Sequence, residues 1–97
     1  MKIFKYRLDF NGNTACKIGL PVNAQFLDLK QIDGDYFIWC LVDPDFPTTV
    51  DEFRFVFYGT GWGIDESSLK GMQYLRTIQS DLLIWHFFCE DKLRIMW

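Results

Sequence analysis

Apolar and polar residues alternate along most of this chain, in short runs separated by turn residues. That two-residue period predicts strands rather than helices. Residues 2–8 are the first such run and set Phe4, Tyr6 and Leu8 on one inward face. Asn11-Gly12-Asn13 turns the chain, because Asn and Gly accept positive φ at little cost. A short strand follows over residues 14–18. Residues 19–23 are expected to break it, since Pro21 cannot donate to a ladder. Residues 25–32 predict a third strand, with Leu27 and Leu29 sharing a face, and Asp33-Gly34-Asp35 folds it tightly into a fourth. Asp43-Pro44-Asp45-Phe46-Pro47 ends that strand. Residues 53–58 predict a fifth, with Phe53, Phe55 and Phe57 in one stripe. A glycine-rich loop over 59–63 follows, then one helical turn over 65–70 capped by Asp65 or Ser67. Strands over 72–79 and 82–89, joined at Ser80-Asp81, and a short last strand within 93–97 complete the chain.

Two segments break the alternation. Tyr36-Phe37-Ile38-Trp39-Cys40-Leu41-Val42 and Leu82-Leu83-Ile84-Trp85-His86-Phe87-Phe88-Cys89 are apolar on both faces. A strand with one wet face alternates, so these two need cover on either side, from a second layer or from another copy of the chain. They are expected to be central strands. The fold class that follows is all-β: a small antiparallel sandwich or partly open barrel of six to eight strands with little helix, in a single domain over residues 1–97.

Composition adds a surplus of rings. Ten Phe, four Tyr and four Trp exceed what the core of a 97-residue chain needs, so some are expected at a contact surface. The limited material for covering both flanks of both apolar strands predicts a homodimer or higher assembly. The net charge of −3 argues against a nucleic-acid backbone as partner, because phosphate binding needs clustered Lys and Arg. The only dense basic group is Lys2, Lys5 and Arg7, with Lys5 and Arg7 on one face, as on a solvated edge. No apolar run is long enough to cross a bilayer as a helix, and Met1-Lys2-Ile3-Phe4-Lys5-Tyr6 reads as an amphipathic strand rather than a leader. No membrane partner is expected. Three cysteines without CxxC spacing, Cys16, Cys40 and Cys89, point to free thiols in a reduced cytoplasm, the last two packed as small hydrophobes.

Candidate chemistry is sparse. Gly59-Thr60-Gly61-Trp62-Gly63 has backbone N–H groups suited to an anion, but lacks the Lys and Ser/Thr of a phosphate loop. A structural turn is the simpler reading, with Trp62 either folded back or displayed for stacking. Asp43, Asp45, Asp51 and Glu52 gather near one loop without the spacing of a calcium site, so no metal and no cofactor are expected. His86, the single histidine, shares a face with Ile84 and Phe88 and reads as structural. An enzyme would have to use it as its base.

Several segments together resemble a family of short, uncharacterised proteins of bacteriophages and their bacterial hosts. They are the opening Met1-Lys2-Ile3-Phe4-Lys5-Tyr6, then Leu20-Pro21-Val22-Asn23-Ala24-Gln25-Phe26-Leu27, and then Trp39-Cys40-Leu41-Val42-Asp43-Pro44-Asp45-Phe46-Pro47. The last is similar to the family's Trp, small residue, Leu-Val-Asp-Pro, acidic residue, any residue, Pro. Gly59-Thr60-Gly61, Tyr74-Leu75-Arg76-Thr77-Ile78-Gln79 and Trp85-His86-Phe87-Phe88 follow in the family's order. The chain departs by carrying Trp62 where family members often have His after Gly-Thr-Gly, and by a tail, residues 91–97, past the usual ending. The resemblance implies a phage or prophage origin and action in the host cytoplasm. By analogy with small phage accessory proteins, it implies a binder of a host protein in a process such as antiviral defence, or a sink for a signal molecule.

The leading expectation is a non-catalytic binding protein. Its contact rings are Trp62, Phe46, Tyr58 and Trp97, with Asp43, Asp45, Asp51 and Glu52 as an acidic rim. The alternative is a protein that sequesters a small nucleotide signal. It would hold the phosphate on Gly59, Thr60, Gly61, Trp62 and Gly63, stack the base on Trp62, and neutralise charge with Arg54 or Arg76. An enzyme built on His86 is third.

Overall fold

The computed structural model describes residues 1–45 and 49–97. They form eight strands: β1 (Lys2–Leu8), β2 (Ala15–Pro21), β3 (Gln25–Ile32), β4 (Asp35–Val42), β5 (Val50–Gly59), β6 (Met72–Ser80), β7 (Leu83–Glu90) and β8 (Arg94–Ile95). The only helical piece among the described residues is a 3-10 turn, Glu66–Leu69, whose cap Asp65 accepts from the Ser67 N–H. The strands make two four-stranded sheets, ordered β1-β4-β3-β8 and β2-β5-β7-β6. These stack as an open sandwich of the all-β class that the alternation predicts.

Both doubly apolar segments are central strands, β4 between β1 and β3, and β7 between β5 and β6. Their inward faces are sealed: Ile38, Cys40 and Val42 on β4, Phe87 and Cys89 on β7. Their outward faces are not. Phe37, Trp39 and Leu41 on β4, and His86 and Phe88 on β7, are half-buried by neighbouring side chains alone, such as Lys5 with its Nζ 4.8 Å over the Phe37 ring. One chain thus covers a single flank of each strand.

The core joins Phe26 and Leu29 of β3 and Phe53 and Phe55 of β5 to those inward faces. Burying each phenylalanine fully contributes about 1.5–3 kcal/mol. At one end of the sandwich Phe10, in the β1–β2 connection, closes the core edge-on to Phe57 at 4.9 Å and Tyr36 at 6.1 Å. At the other end Gln73 donates to the Leu93 and Glu90 carbonyls, and β8 lies parallel to the start of β3. Along one side, Arg76 of β6 reaches Asp28 of β3 at 2.8 Å and ties the sheets together.

Three local expectations are corrected. β2 runs on through Gly19 and Leu20 to Pro21 instead of breaking after Ile18. It is an edge strand, so a terminal proline forfeits no ladder donor there. Leu27 and Leu29 do not share a face. A bulge between Phe26 and Asp28 absorbs one residue, so Phe26 and Leu29 enter the core and Leu27 stays half-exposed. Phe4, Tyr6 and Leu8 do share one face, but burial fades along it, from sealed Leu8 to exposed Phe4. The hairpin at Asp33-Gly34 is as expected, with φ of +51° and +84° at its two turn residues.

Candidate functional site

The outward face of the second sheet concentrates the chain's exposed chemistry. Register sets Val56 opposite Phe88, Phe88 opposite Tyr74, Tyr58 opposite His86, and His86 opposite Thr77. Phe88 is the middle ring of a row across three strands. Tyr58 lies 5.8 Å from it and Tyr74 5.6 Å, both edge-on at 71°. Val56 is sealed in the same face although it points away from the core.

Beside the rings runs a chain of hydrogen bonds. The His86 Nε2 lies 2.6 Å from the Thr60 Oγ1, its Nδ1 lies 2.9 Å from the Thr77 Oγ1, and that hydroxyl lies 2.5 Å from the Tyr74 hydroxyl. A bulge in β6 makes this arrangement possible. The extra residue, Leu75, turns into the core, so Tyr74 and Thr77, three apart, both face outward. Strict alternation puts them on opposite faces, and for that reason the sequence pattern does not reveal the relay. Both imidazole nitrogens are occupied by hydroxyls. No thiol shares this face: Cys40 and Cys89 are sealed in the core, and Cys16 faces inward opposite Phe55. Burial pushes the Cys40 and Cys89 thiols up to about 12 and that of Cys16 to about 11, which keeps all three protonated and unreactive.

The glycine-rich loop is a turn folded on itself. The Thr60 N–H donates to the Ile84 carbonyl and the Trp62 N–H to the Gly59 carbonyl. The Trp62 ring lies back over Gly59 and meets Trp85 edge-on at 5.4 Å. A Cβ on Gly59 would stand 2.7 Å from the Trp62 Cε2 and Nε1, so only glycine admits the ring. The ring remains 47% exposed. Gly61 takes φ +85°, while Gly63 has open space around it. Neither arginine of the nucleotide reading stands at this loop. Arg54 lies opposite Lys17, five residues back along β5, and Arg76 is engaged by Asp28.

The expected contact surface is divided. Tyr58 and Trp62 sit at the end of β5 where Gly59 meets Trp85. Asp51 and Glu52 begin the same strand, about 20 Å away by strand rise. They are paired, Asp51 with Lys92 at 3.2 Å and Glu52 with Lys17 at 3.9 Å. The Lys92 hydrogen bond, with the Glu52 N–H, holds the Asp51 carboxyl below its ordinary range. Asp43 accepts from the Asp45 N–H in the loop before β5. Trp97 packs edge-on against Phe26 at 5.3 Å. Phe46 lies outside the described residues. Among the described residues no three His, Cys, Asp or Glu side chains gather as metal ligands, and no helix is long and apolar enough to cross a membrane.

An eight-stranded β-sandwich with one open face of rings and hydroxyls is the class of protein these features define. The chain belongs to the family described as domain of unknown function DUF7352, which matches residues 1–95 and so takes in all eight strands, including most of the tail over 91–97 expected to lie past the family's ending. No curated protein and no solved structure matches it.

Proposed function

We propose that this chain is a non-catalytic binding protein of phage or prophage origin. It engages a host protein in the host cytoplasm through the outward face of the second sheet. The observation that carries the reading is the open row Tyr58, Phe88, Tyr74, flanked by the hydroxyls and imidazole of Thr60, Thr77 and His86. Aromatic side chains dominate binding hot spots because they bury a large area with little loss of rotamer freedom. The origin rests on the resemblance of its motifs to phage and prophage proteins. A host process such as antiviral defence is the analogy that goes with it.

Binding is favoured over catalysis by His86 itself. Its two nitrogens bond to hydroxyls with no carboxylate to orient the ring and no thiol to activate. The nucleotide-sequestering alternative loses support, because two N–H groups of the loop are spent internally and both arginines lie elsewhere. We further propose self-association, since the outward apolar faces of β4 and β7 are only half covered in one chain.

The test is affinity capture from a bacterial host with wild-type chain and with Tyr74→Ala and Phe88→Ala. A specific host protein retained by wild type and lost by both folded variants is the expected result. Equal capture by all three removes this face from the function.

A further inference from the structure

A second surface, separate from the ring face, lies at the opposite edge of the other sheet. β1 is an end strand: among the described residues only β4 pairs with it, in unbroken register from Lys2 opposite Val42 to Leu8 opposite Tyr36. Natural edge strands are usually blunted by a bulge, a proline or a covering element. The other edges here are. β2 ends in Pro21, β6 carries a bulge and is tied to β3 through Arg76, and β8 has two residues. β1 has none of these, and its Ile3 is 60% exposed.

Among the described residues charge is what guards β1, and its unpaired charges are positive. Lys5 and Arg7 lie on the outward face of the strand and Lys2 on the inward one, and Lys30 stands on the outward face of β3 at a hollow of about 240 Å³ lined also by Trp39, Ile3 and Leu27. Arg7 is paired, with Asp35 at 3.1 Å and Asp9 at 3.8 Å, but among the described residues no carboxylate pairs with Lys2, Lys5 or Lys30. Asp28, at the same hollow, is already neutralised by Arg76. A basic edge on a chain of net charge −3 repels a second copy of itself and attracts an acidic strand.

We propose that β1 accepts an extended acidic segment of another protein, which adds a strand to the first sheet. Main-chain hydrogen bonds to the open edge supply affinity, and alternate side chains supply selection. The residue of the incoming strand opposite Lys5 falls on the outward face and is acidic, whereas Arg7 is already paired with Asp35 and Asp9. Those opposite Phe4 and Tyr6 fall on the inward face and are apolar, since Phe4 is exposed there and Tyr6 is half-buried. The recognised pattern is therefore an acidic residue between apolar neighbours in an extended run.

The experiment titrates the full isotope-labelled chain with a synthetic peptide alternating Glu and Val, and with its counterpart alternating Lys and Val. Amide exchange maps the contact. The acidic peptide is expected to bind about fivefold tighter, from the charge opposite Lys5 that attracts in one peptide and repels in the other. Its binding should protect amides of β1. Lys5→Glu should reduce or reverse the preference, with Lys17→Glu on the other sheet's edge as the neutral control. Absence of binding, equal binding of the two peptides, protection away from β1, or an equal effect of Lys17→Glu overturns the proposal. So does protection of β1 that rises with protein concentration without peptide, which assigns the edge to a second copy.

Discussion

Gly59 shows how one hydrogen in place of a methyl can position a large ring. Its missing side chain lets Trp62 lie against the strand and Trp85, closing one end of the sandwich. Gly59→Ala forces the indole out and is expected to cost about 1–3 kcal/mol, as overpacking does. Denaturant titration followed by tryptophan fluorescence reads both the loss and the changed ring environment. The thiols give a second prediction. Cys40 and Cys89 hold their protons to about pH 12 when folded, against about 9 for the ordinary group, with burial the main cause. Above about pH 9 the unfolded chain therefore binds fewer protons than the folded one. The thiol contribution to stability is fully present below that pH and falls as pH rises toward 12. Unfolding curves from pH 8 to pH 11 check the sign. A thiol reagent at pH 8 is expected to label Cys40 and Cys89 only after unfolding.

Turns and bulges decide register at the level of elements. The Asp33-Gly34 turn needs positive φ at both residues, and +84° at Gly34 is costly for any side chain. Gly34→Ala is expected to destabilise by about 1 kcal/mol, whereas Asp33→Asn, which tolerates the same conformation, leaves stability within a few tenths. Thermal melts of the two variants separate these outcomes. Between elements, Arg76–Asp28 is the tie from β6 to β3. Both groups are partly solvated, so a double-mutant cycle is expected to give a coupling of no more than about 1 kcal/mol. The two bulges have no comparable signature in the chain. Leu27 and Leu75 look like ordinary members of alternating runs, and their displacement follows from packing against the facing sheet. That is why the Tyr74–Thr77–His86 chain was not legible, whereas the Asp33-Gly34 hairpin, whose turn residues are chemically special, was.

For the molecule as a whole, the consequence of two doubly apolar strands in 97 residues is an excess of apolar surface facing outward. Leu82, at the β6–β7 turn, is 97% exposed, and Leu83, Ile84, Tyr74 and Trp62 are exposed with it. Sedimentation equilibrium across a range of concentrations is expected to show self-association of the wild-type chain. Trp39→Ser and Phe88→Ser test which outward face carries it: the variant that becomes monomeric while retaining its circular dichroism marks the contact.

The chain's own pattern was enough to determine the class of fold, the central places of β4 and β7, and the thiols as core packing, because two-residue periodicity and burial are properties of short segments. The tertiary structure alone decided which rings stand together, that Thr60 and His86 meet across 26 residues of sequence, and that Asp51 and Glu52 lie at the far end of β5 from Tyr58. Those facts depend on how one sheet settles over the other and where each bulge takes up the slack, and no local run of residues encodes that.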